Sequence, residues 1–409
     1  MRRRLALAAL GLALAGGGLA AAYVELWWHR VPTIRGSTTT EYVPAAIPAP
    51  RPPAEPGVAW ATYGYDQERV RSAPSLNLRP PFRRVWTFHG RSLLEFPPVV
   101  GYGRVYLTTF DGHLVALDAA TGKAVWRYVS RRCGWASPAL ADHVVYQTFI
   151  GSAECHSRAR TGVVAAFDAR SGRIRWRRWI GETESSPLVA HGVVYVGDWN
   201  GRVWALDAAT GRVRWTSDLH GAIKGSLALS GRRLFIGTYA GDVVSLDART
   251  GRVLWTSGGH GSIYSSPAVA YGRVYVGSLD GGVYAFGATT GDLLWARPTG
   301  STVYASPAIW RGRVLIGSYN HSFYAFDAGT GDVLWRFHAN GPISGSASVI
   351  DGLVYFSTLD ERTYVLHAAG GRALVTWPDG KYSPAVADAA HLYFVGQGDL
   401  YALAARTKG

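Results

Sequence analysis

A phrase of about forty residues recurs along most of the chain, clearest as Val203-Trp-Ala-Leu-Asp-Ala-Ala-Thr-Gly-Arg-Val-Arg-Trp215. It returns as Val243-Val-Ser-Leu-Asp-Ala-Arg-Thr-Gly-Arg-Val-Leu-Trp255 and as Val283-Tyr-Ala-Phe-Gly-Ala-Thr-Thr-Gly-Asp-Leu-Leu-Trp295. The closing tryptophans are Trp86, Trp126, Trp176, Trp215, Trp255, Trp295, Trp335 and Trp377, spaced 40, 50, 39, 40, 40, 40 and 42 residues apart. Self-similarity at this period means one supersecondary unit stacked many times, each unit burying its neighbour's apolar face.

The unit ending at Trp295 reads as four short strands. Ser265 to Ala270 opens a short apolar strand, Gly272 turns it, and Arg273 to Gly277 alternates as a second. Asp280-Gly281 is a hairpin signal of the type I′ kind, which needs positive φ at both central residues. Gly282 to Phe286 forms the third strand, Thr290-Gly291 turns the chain, and Asp292 to Trp295 opens the fourth. Four antiparallel strands of β-branched and aromatic residues between turn signals make a propeller blade. An eighth unit starts at Ser383-Pro384 and stops three strands in, and Arg84 to Phe88 is a candidate for its missing strand. The predicted fold is all-β: an eight-bladed β-propeller of four-stranded antiparallel blades, the last closed by an N-terminal strand, preceded by one N-terminal apolar helix.

That helix comes from the leader. Arg2, Arg3 and Arg4 precede an uncharged apolar run from Leu5 to Val24, long enough to cross a bilayer, with Trp27 and Trp28 beyond it. Ala20-Ala21-Ala22 also suits signal cleavage, so residues 1–30 read as a signal anchor or a signal peptide. Either way the rest of the chain is exported. Residues 31–57, with the run Pro48-Ala-Pro-Arg-Pro-Pro-Ala-Glu-Pro56, read as a proline-rich linker holding a 58–409 propeller off the membrane. No cysteine precedes Cys133, so no N-terminal cysteine can carry a lipid. The 42 basic against 28 acidic residues give a charge of +14 and favour anionic surroundings, but no nucleic-acid motif accompanies them. Arg104, Arg232, Arg233, Arg273, Arg313, Lys123, Arg173, Arg212 and Arg252 fall in turns of one face and form a basic underside if clustered.

The phrase Ala116-Leu-Asp118…Thr121-Gly122…Trp126, repeated as Ala166…Asp168…Trp176, resembles the pyrroloquinoline-quinone-type (PQQ-like) repeat family from about Trp60 onward. The resemblance implies that the eight closing tryptophans dock against neighbouring blades and are structural. It also implies two kinds of function, because the family holds quinone-dependent alcohol and sugar dehydrogenases as well as cofactor-free scaffolds. The dehydrogenases carry adjacent cysteines beside the quinone and a Glu, Asn and Asp set for calcium. Here Cys133 and Cys155 are not adjacent, and no such set is identifiable.

Variation against the repeat shows where function can sit. The positions three residues ahead of the Ser-Pro proline, or its equivalent, form a ring at the channel mouth: Glu95, Trp135, Glu184, Lys224, Tyr264, Tyr304, Ser344 and Lys381. Glu184 with Lys224, and Lys381 with Glu95, are expected ion pairs. Trp135, Tyr264 and Tyr304 make an aromatic arc suited to a sugar or a flat ligand. Trp199 and Tyr319, in hairpin loops on the same face, are aromatics that a turn does not need. The second blade is ten residues longer than its neighbours, and its extra loop holds Cys155; an even cysteine count in an oxidising compartment predicts a Cys133–Cys155 disulfide over the mouth. Protease, hydrolase, phosphate-loop and calcium-loop motifs are absent. These features predict a monomeric, membrane-tethered, extracytoplasmic scaffold for an envelope protein or glycan partner, without nucleic acid, metal, cofactor or catalysis. The alternative is a PQQ- and calcium-dependent oxidoreductase with an atypical site.

Overall fold

The computed structural model describes residues 31–39, 41–42, 55–73, 76–151, 161–382 and 385–406. These form eight antiparallel sheets, seven of four strands and one of five, arranged as an eight-bladed propeller. The blade ending near Trp295 is built from Ala268–Ala270, Arg273–Gly277, Gly282–Gly287 and Leu293–Pro298, hydrogen-bonded in that order. Its first three strands are buried throughout, because both sheet faces pack on neighbouring blades. The described residues include no helix, and none long and apolar enough to cross a membrane; the expected leader helix falls on residues 1–30, outside the described residues.

The turns differ from expectation in one respect. At Asp280-Gly281 only Gly281 has positive φ, at 88°, and its N–H bonds to the Ser278 carbonyl at 3.1 Å. That is a type I turn followed by a left-handed glycine, not a type I′ pair. The double-positive pair lies at the preceding hairpin, in Tyr271 (55°) and Gly272 (73°). A three-residue loop leaves a side chain free at its tip, whereas the two-residue turn spends both residues on geometry.

The seams between blades share one construction. The Nε1–H of Trp86 donates to the Ala119 carbonyl of the next blade at 3.0 Å, and Trp126, Trp215 and Trp335 repeat this on Ala169, Ala248 and Ala368. Each ring lies on a turn glycine of the next blade: a Cβ added to Gly122, whose φ is 71°, would stand 2.5 Å from Trp86. That glycine is fixed by the aspartate of the repeat, since Asp118 accepts both the N–H and the hydroxyl of Thr121, at 2.8 and 2.7 Å. Asp, Thr, Gly and Trp of the phrase are thus four parts of one joint. Trp377 lacks this partner in the shortened last blade and packs between Phe82 and Phe394 instead.

Two N-terminal segments break the symmetry. Phe82–His89 pairs antiparallel with Asp399–Ala405, from Phe82 opposite Ala405 to His89 opposite Asp399, and is the outer strand of the last blade. Ahead of it, residues 55–73 and 76–78 pass through the central channel. Val58–Trp60 adds a fifth strand inside the first blade, against Val99–Gly101. The carbonyls of Ala61, Gln67, Glu68, Val70 and Arg71 then accept N–H groups of Leu140, Leu229, Val269, Ile309 and Val349 in blade order. Trp60, Tyr65 and Leu78 are buried in the apolar cluster that joins blades seven, eight and one. Residues 31–39, 41 and 42, within the span read as linker, lie on the rim of blades five and six: Ile34 pairs with Ala296, Gly36 N–H bonds to Thr330, and Arg35 meets Asp332 at 2.9 Å. The proline-rich run 43–54 lies outside the described residues.

Candidate channel-mouth site

A ring of serines sets the mouth. The amide of Ser137 donates to Ser186 Oγ at 3.0 Å, and Ser186 to Ser226, Ser226 to Ser266 and Ser266 to Ser306 each at 2.9 Å. Ser306 continues to Ser346 at 2.8 Å. Each blade's entry loop is therefore pinned to the next blade, and the residue two places earlier projects at a fixed height. Glu184, Lys224, Tyr264, Tyr304 and Ser344 stand two places before five of these serines, and with Glu95 they line a cavity of about 310 Å³. Tyr63, Phe96, Tyr319 and Tyr382 complete most of its wall.

Its charged part is tightly held. Glu184 Oε1 is 3.2 Å from Lys224 Nζ, and Oε2 accepts the Tyr264 hydroxyl at 2.7 Å, tying blades three, four and five together. The side chains of Glu184 and Lys224 are only 7% and 23% exposed, so this pair is stronger than an open surface pair. Lys224 Nζ also lies 4.2 Å from the Trp199 ring and 5.0 Å from Tyr239. The rings of Tyr239, Tyr264, Tyr304 and Tyr319 follow one another at 6.3, 5.5 and 5.1 Å. Burial and the charge of Glu184 push the Glu95 carboxyl up to about 7. Burial and Glu184 likewise drive the Tyr264 phenol well up, so it stays a donor.

The floor comes from the channel segment. Tyr63 contacts Ser346 Oγ at 3.1 Å, and the Arg71 guanidinium stacks on its ring at 3.9 Å. Arg69 and Arg71 are 0% and 2% exposed. Arg69 spends its donors on the carbonyls of Tyr63, Ser186 and Leu227. Arg71 Nε and Nη2 have no such acceptor among the described residues. Burial acts to raise the Tyr63 phenol, but Arg71, the serine hydroxyls and Arg69 outweigh it and hold it below the ordinary range. Burial lifts the nearby Asp66 carboxyl to about 7, where it accepts the Val70 N–H.

Not every expected residue arrives. Trp135 packs 5.5 Å from Phe110 and does not line the cavity, because the first blade's hairpin aromatic captures it. Lys381 lies by the ring of its neighbour Tyr382, which takes its place in the wall, and no ion pair joins it to Glu95 among the described residues. Trp199 serves as platform for Lys224, and Tyr319 donates to Ser344 Oγ at 3.4 Å. Cys133 is buried and disulfide-bonded, its backbone paired with Ile150 beside the long loop, while Cys155 lies outside the described residues. The basic underside loses Arg273, which is fully buried beneath Ser37 and Glu41 and donates to the carbonyls of Ala328 and Gly329. Sequence reasoning missed Tyr63 and Phe96, which carry no repeat signal, and Tyr382, one residue from a position it did choose.

The residues present do not match a calcium–quinone site. A planar tricarboxylate needs cationic partners, yet the cavity wall carries two carboxylates and one lysine that is already paired. Among the described residues its lining includes no Asn, Asp or Cys, and no group of three or more His, Cys, Asp or Glu could hold a metal.

Comparison with known proteins places this geometry. The quinone alcohol dehydrogenase subunit of Gluconacetobacter polyoxogenes is 36% identical over 83 residues, 18% of this chain. The chain spans only 11% of that relative's length. Among solved structures, quinohemoprotein alcohol dehydrogenase from Comamonas testosteroni superposes with a TM-score of 0.71 at 15% identity, over 87% of this chain and 82% of its own. BamB from Moraxella catarrhalis superposes at 0.64 with 19% identity, over 79% of this chain and 99% of its own. The profile described as outer membrane protein assembly factor BamB matches residues 83–154 and 200–408. With the repeat, the eight blades and the tryptophan joints all in place, the chain belongs to that BamB-type family of PQQ-like repeat propellers.

Proposed function

We propose that the chain is an exported, membrane-tethered binding propeller of the cell envelope, without redox chemistry, whose channel mouth receives a projecting group of an envelope partner. One observation carries this reading. The channel is threaded by the chain's own residues 55–73, so the mouth ends in a recess lined by side chains that the repeat does not require. A recess of about 310 Å³ suits one sugar ring or one side chain, with tyrosine faces as platforms and Glu95, Glu184 and Lys224 as polar contacts. Aromatics at the rim, Trp199 and Tyr319, are the residue types that anchor interfaces.

A photo-crosslinking side chain placed at Tyr319 is expected to give a discrete adduct in the envelope, and one at Lys123, on an exposed turn, is not. Equal adducts at both, or none at Tyr319, would overturn the reading. The oxidoreductase alternative is tested by titrating the protein with pyrroloquinoline quinone and calcium. Saturable one-to-one absorption changes with dye-linked alcohol oxidation would replace the binding role.

A further inference from the structure

The leader meets the propeller sooner than the proline-rich span suggests. Its apolar run ends at Val24, and Val31 and Ile34 already pack on the apolar cluster of blades four and five, beside Leu293 and Ala296. Ile34 and Ala296 exchange both backbone hydrogen bonds, at 2.9 and 3.0 Å, and Arg35 meets Asp332 at 2.9 Å. The first described stretch is thus fixed to the outer strands of blades five and six. Tyr42 then packs 5.6 Å from Tyr271, and Glu55 accepts the Asp142 N–H at 2.9 Å in blade two. The proline-rich run therefore joins two points on the propeller and adds no length ahead of it. Residues 25–30 alone separate Val24 from Val31, and those seven peptide steps reach at most about 25 Å. A tether this short leaves little room between the bilayer and the wall that receives it.

We propose that the outer wall of blades five and six lies against the bilayer that holds the leader, a placement that rests on the membrane tether of the proposed function.

The composition of that wall supports this independently. The position ahead of the docking tryptophan, or its equivalent in blade seven, is Leu254, Leu294, Leu334 and Leu374 in blades four to seven. In blades two and three it is Arg175 and Arg214, each paired with its own blade's turn aspartate, Asp168 or Asp207, at 2.8 and 2.7 Å. Blades eight and one carry the smaller Val85 and Val125. The leucine arc is thus centred on the two blades that receive the leader. Leu254 and Leu294 are partly covered, but Leu334 is 46% exposed and Val333 52%, next to the Asp332 that Arg35 meets. Large apolar side chains exposed side by side mark a surface that something covers. Along the same exposed side of the strand, Leu334 is followed by Arg336 and His338. Apolar contact with a cation behind it suits the boundary between acyl chains and phosphate headgroups. With this wall on the bilayer the channel axis runs along the membrane plane. The mouth then opens sideways, toward partners held in the same membrane.

Photo-crosslinking of the full chain in vesicles of phosphatidylcholine and phosphatidylglycerol tests the proposal, with alkaline carbonate extraction run on the same samples. A benzophenone side chain at Leu334 is expected to give about tenfold more lipid adduct than one at Trp179. Trp179 is 57% exposed in blade two, across the ring from blade six, so exposure alone does not separate the two sites. Ile34→Pro removes the N–H that bonds to Ala296 and lets the tether lengthen. It is expected to cut the Leu334 yield severalfold while carbonate retention stays unchanged, with melting temperatures showing that each labelled chain is folded. Retention in carbonate with equal adducts at Leu334 and Trp179 overturns the docking and leaves the tether standing. Release by carbonate removes the tether, and the docking with it. A Leu334 yield that Ile34→Pro does not change means that the short tether does not set the contact, and this overturns the proposal too.

Discussion

The seams between blades and the channel they enclose are built on opposite principles. Seven seams repeat one joint, a tryptophan on a turn glycine with its Nε1–H on a neighbouring carbonyl, from Trp86 through to Trp335, while Trp377 packs between Phe82 and Phe394. The channel repeats only its serine brace, and its lining changes from blade to blade. The repeat thus supplies identical walls, and the irregular residues between them and within 55–73 supply everything specific. One of the seven is covered: residues 31–39, 41 and 42 lie over blades five and six, and Trp295 is 0% exposed where Trp215 and Trp255 are partly open.

That difference can be broken first at the seam. Trp295→Ala is expected to cost about 4 kcal/mol by chemical denaturation, and Trp215→Ala visibly less, because the cavity left at 295 stays covered. Equal losses would mean that residues 31–42 add nothing. Gly122→Ala should cost about 3 kcal/mol, since the methyl meets Trp86 and φ is left-handed.

The channel responds differently. Arg69→Met strips donors from three buried carbonyls and is expected to destabilise by about 3 kcal/mol, whereas Arg71→Met, which removes a buried charge with two unused donors, should be neutral or stabilising. Proton linkage sharpens the contrast. Glu95 and Asp66 have folded values near 7, above their unfolded ones, so the folded state holds the extra protons. Stability from each is therefore complete in acid and is lost as pH rises through about 7, by at most about 4 kcal/mol per group. Melting curves should show wild type falling across that window and Glu95→Gln falling less. The smallest effect belongs to a hairpin tip. Glu361 has φ of 54° where the third, fourth and fifth blades have Gly201, Gly241 and Gly281, and Glu361→Gly should stabilise by about 0.5 kcal/mol.

Much of this is legible in the chain. The spacing of the tryptophans fixes the number of units, and Asp118, Thr121 and Gly122 fit one turn whatever surrounds them, because their hydrogen bonds are local. The ring positions are legible too, since an offset from the serine brace is a sequence property. Glu184 with Lys224 can be found because adjacent blades place equivalent residues side by side. Trp135 and Lys381 depart from expectation because rotamers answer to neighbours, and the packing of Phe110 and Tyr382 around the mouth is decided only in space. Tyr63, Arg69 and Arg71 cannot be read at all. A segment without periodicity gives no register, and its path is set by the N–H groups that the blades offer it.

The sequence by itself determined the fold, since every unit carries its own turns and its own docking tryptophan. Tertiary structure alone decided that residues 55–73 thread the channel, that residues 31–39, 41 and 42 lie on the rim, and that Tyr382 rather than Lys381 faces the cavity. The reason is physical: local hydrogen bonding and period belong to short stretches of chain, while the lining of a central channel belongs to eight stretches at once.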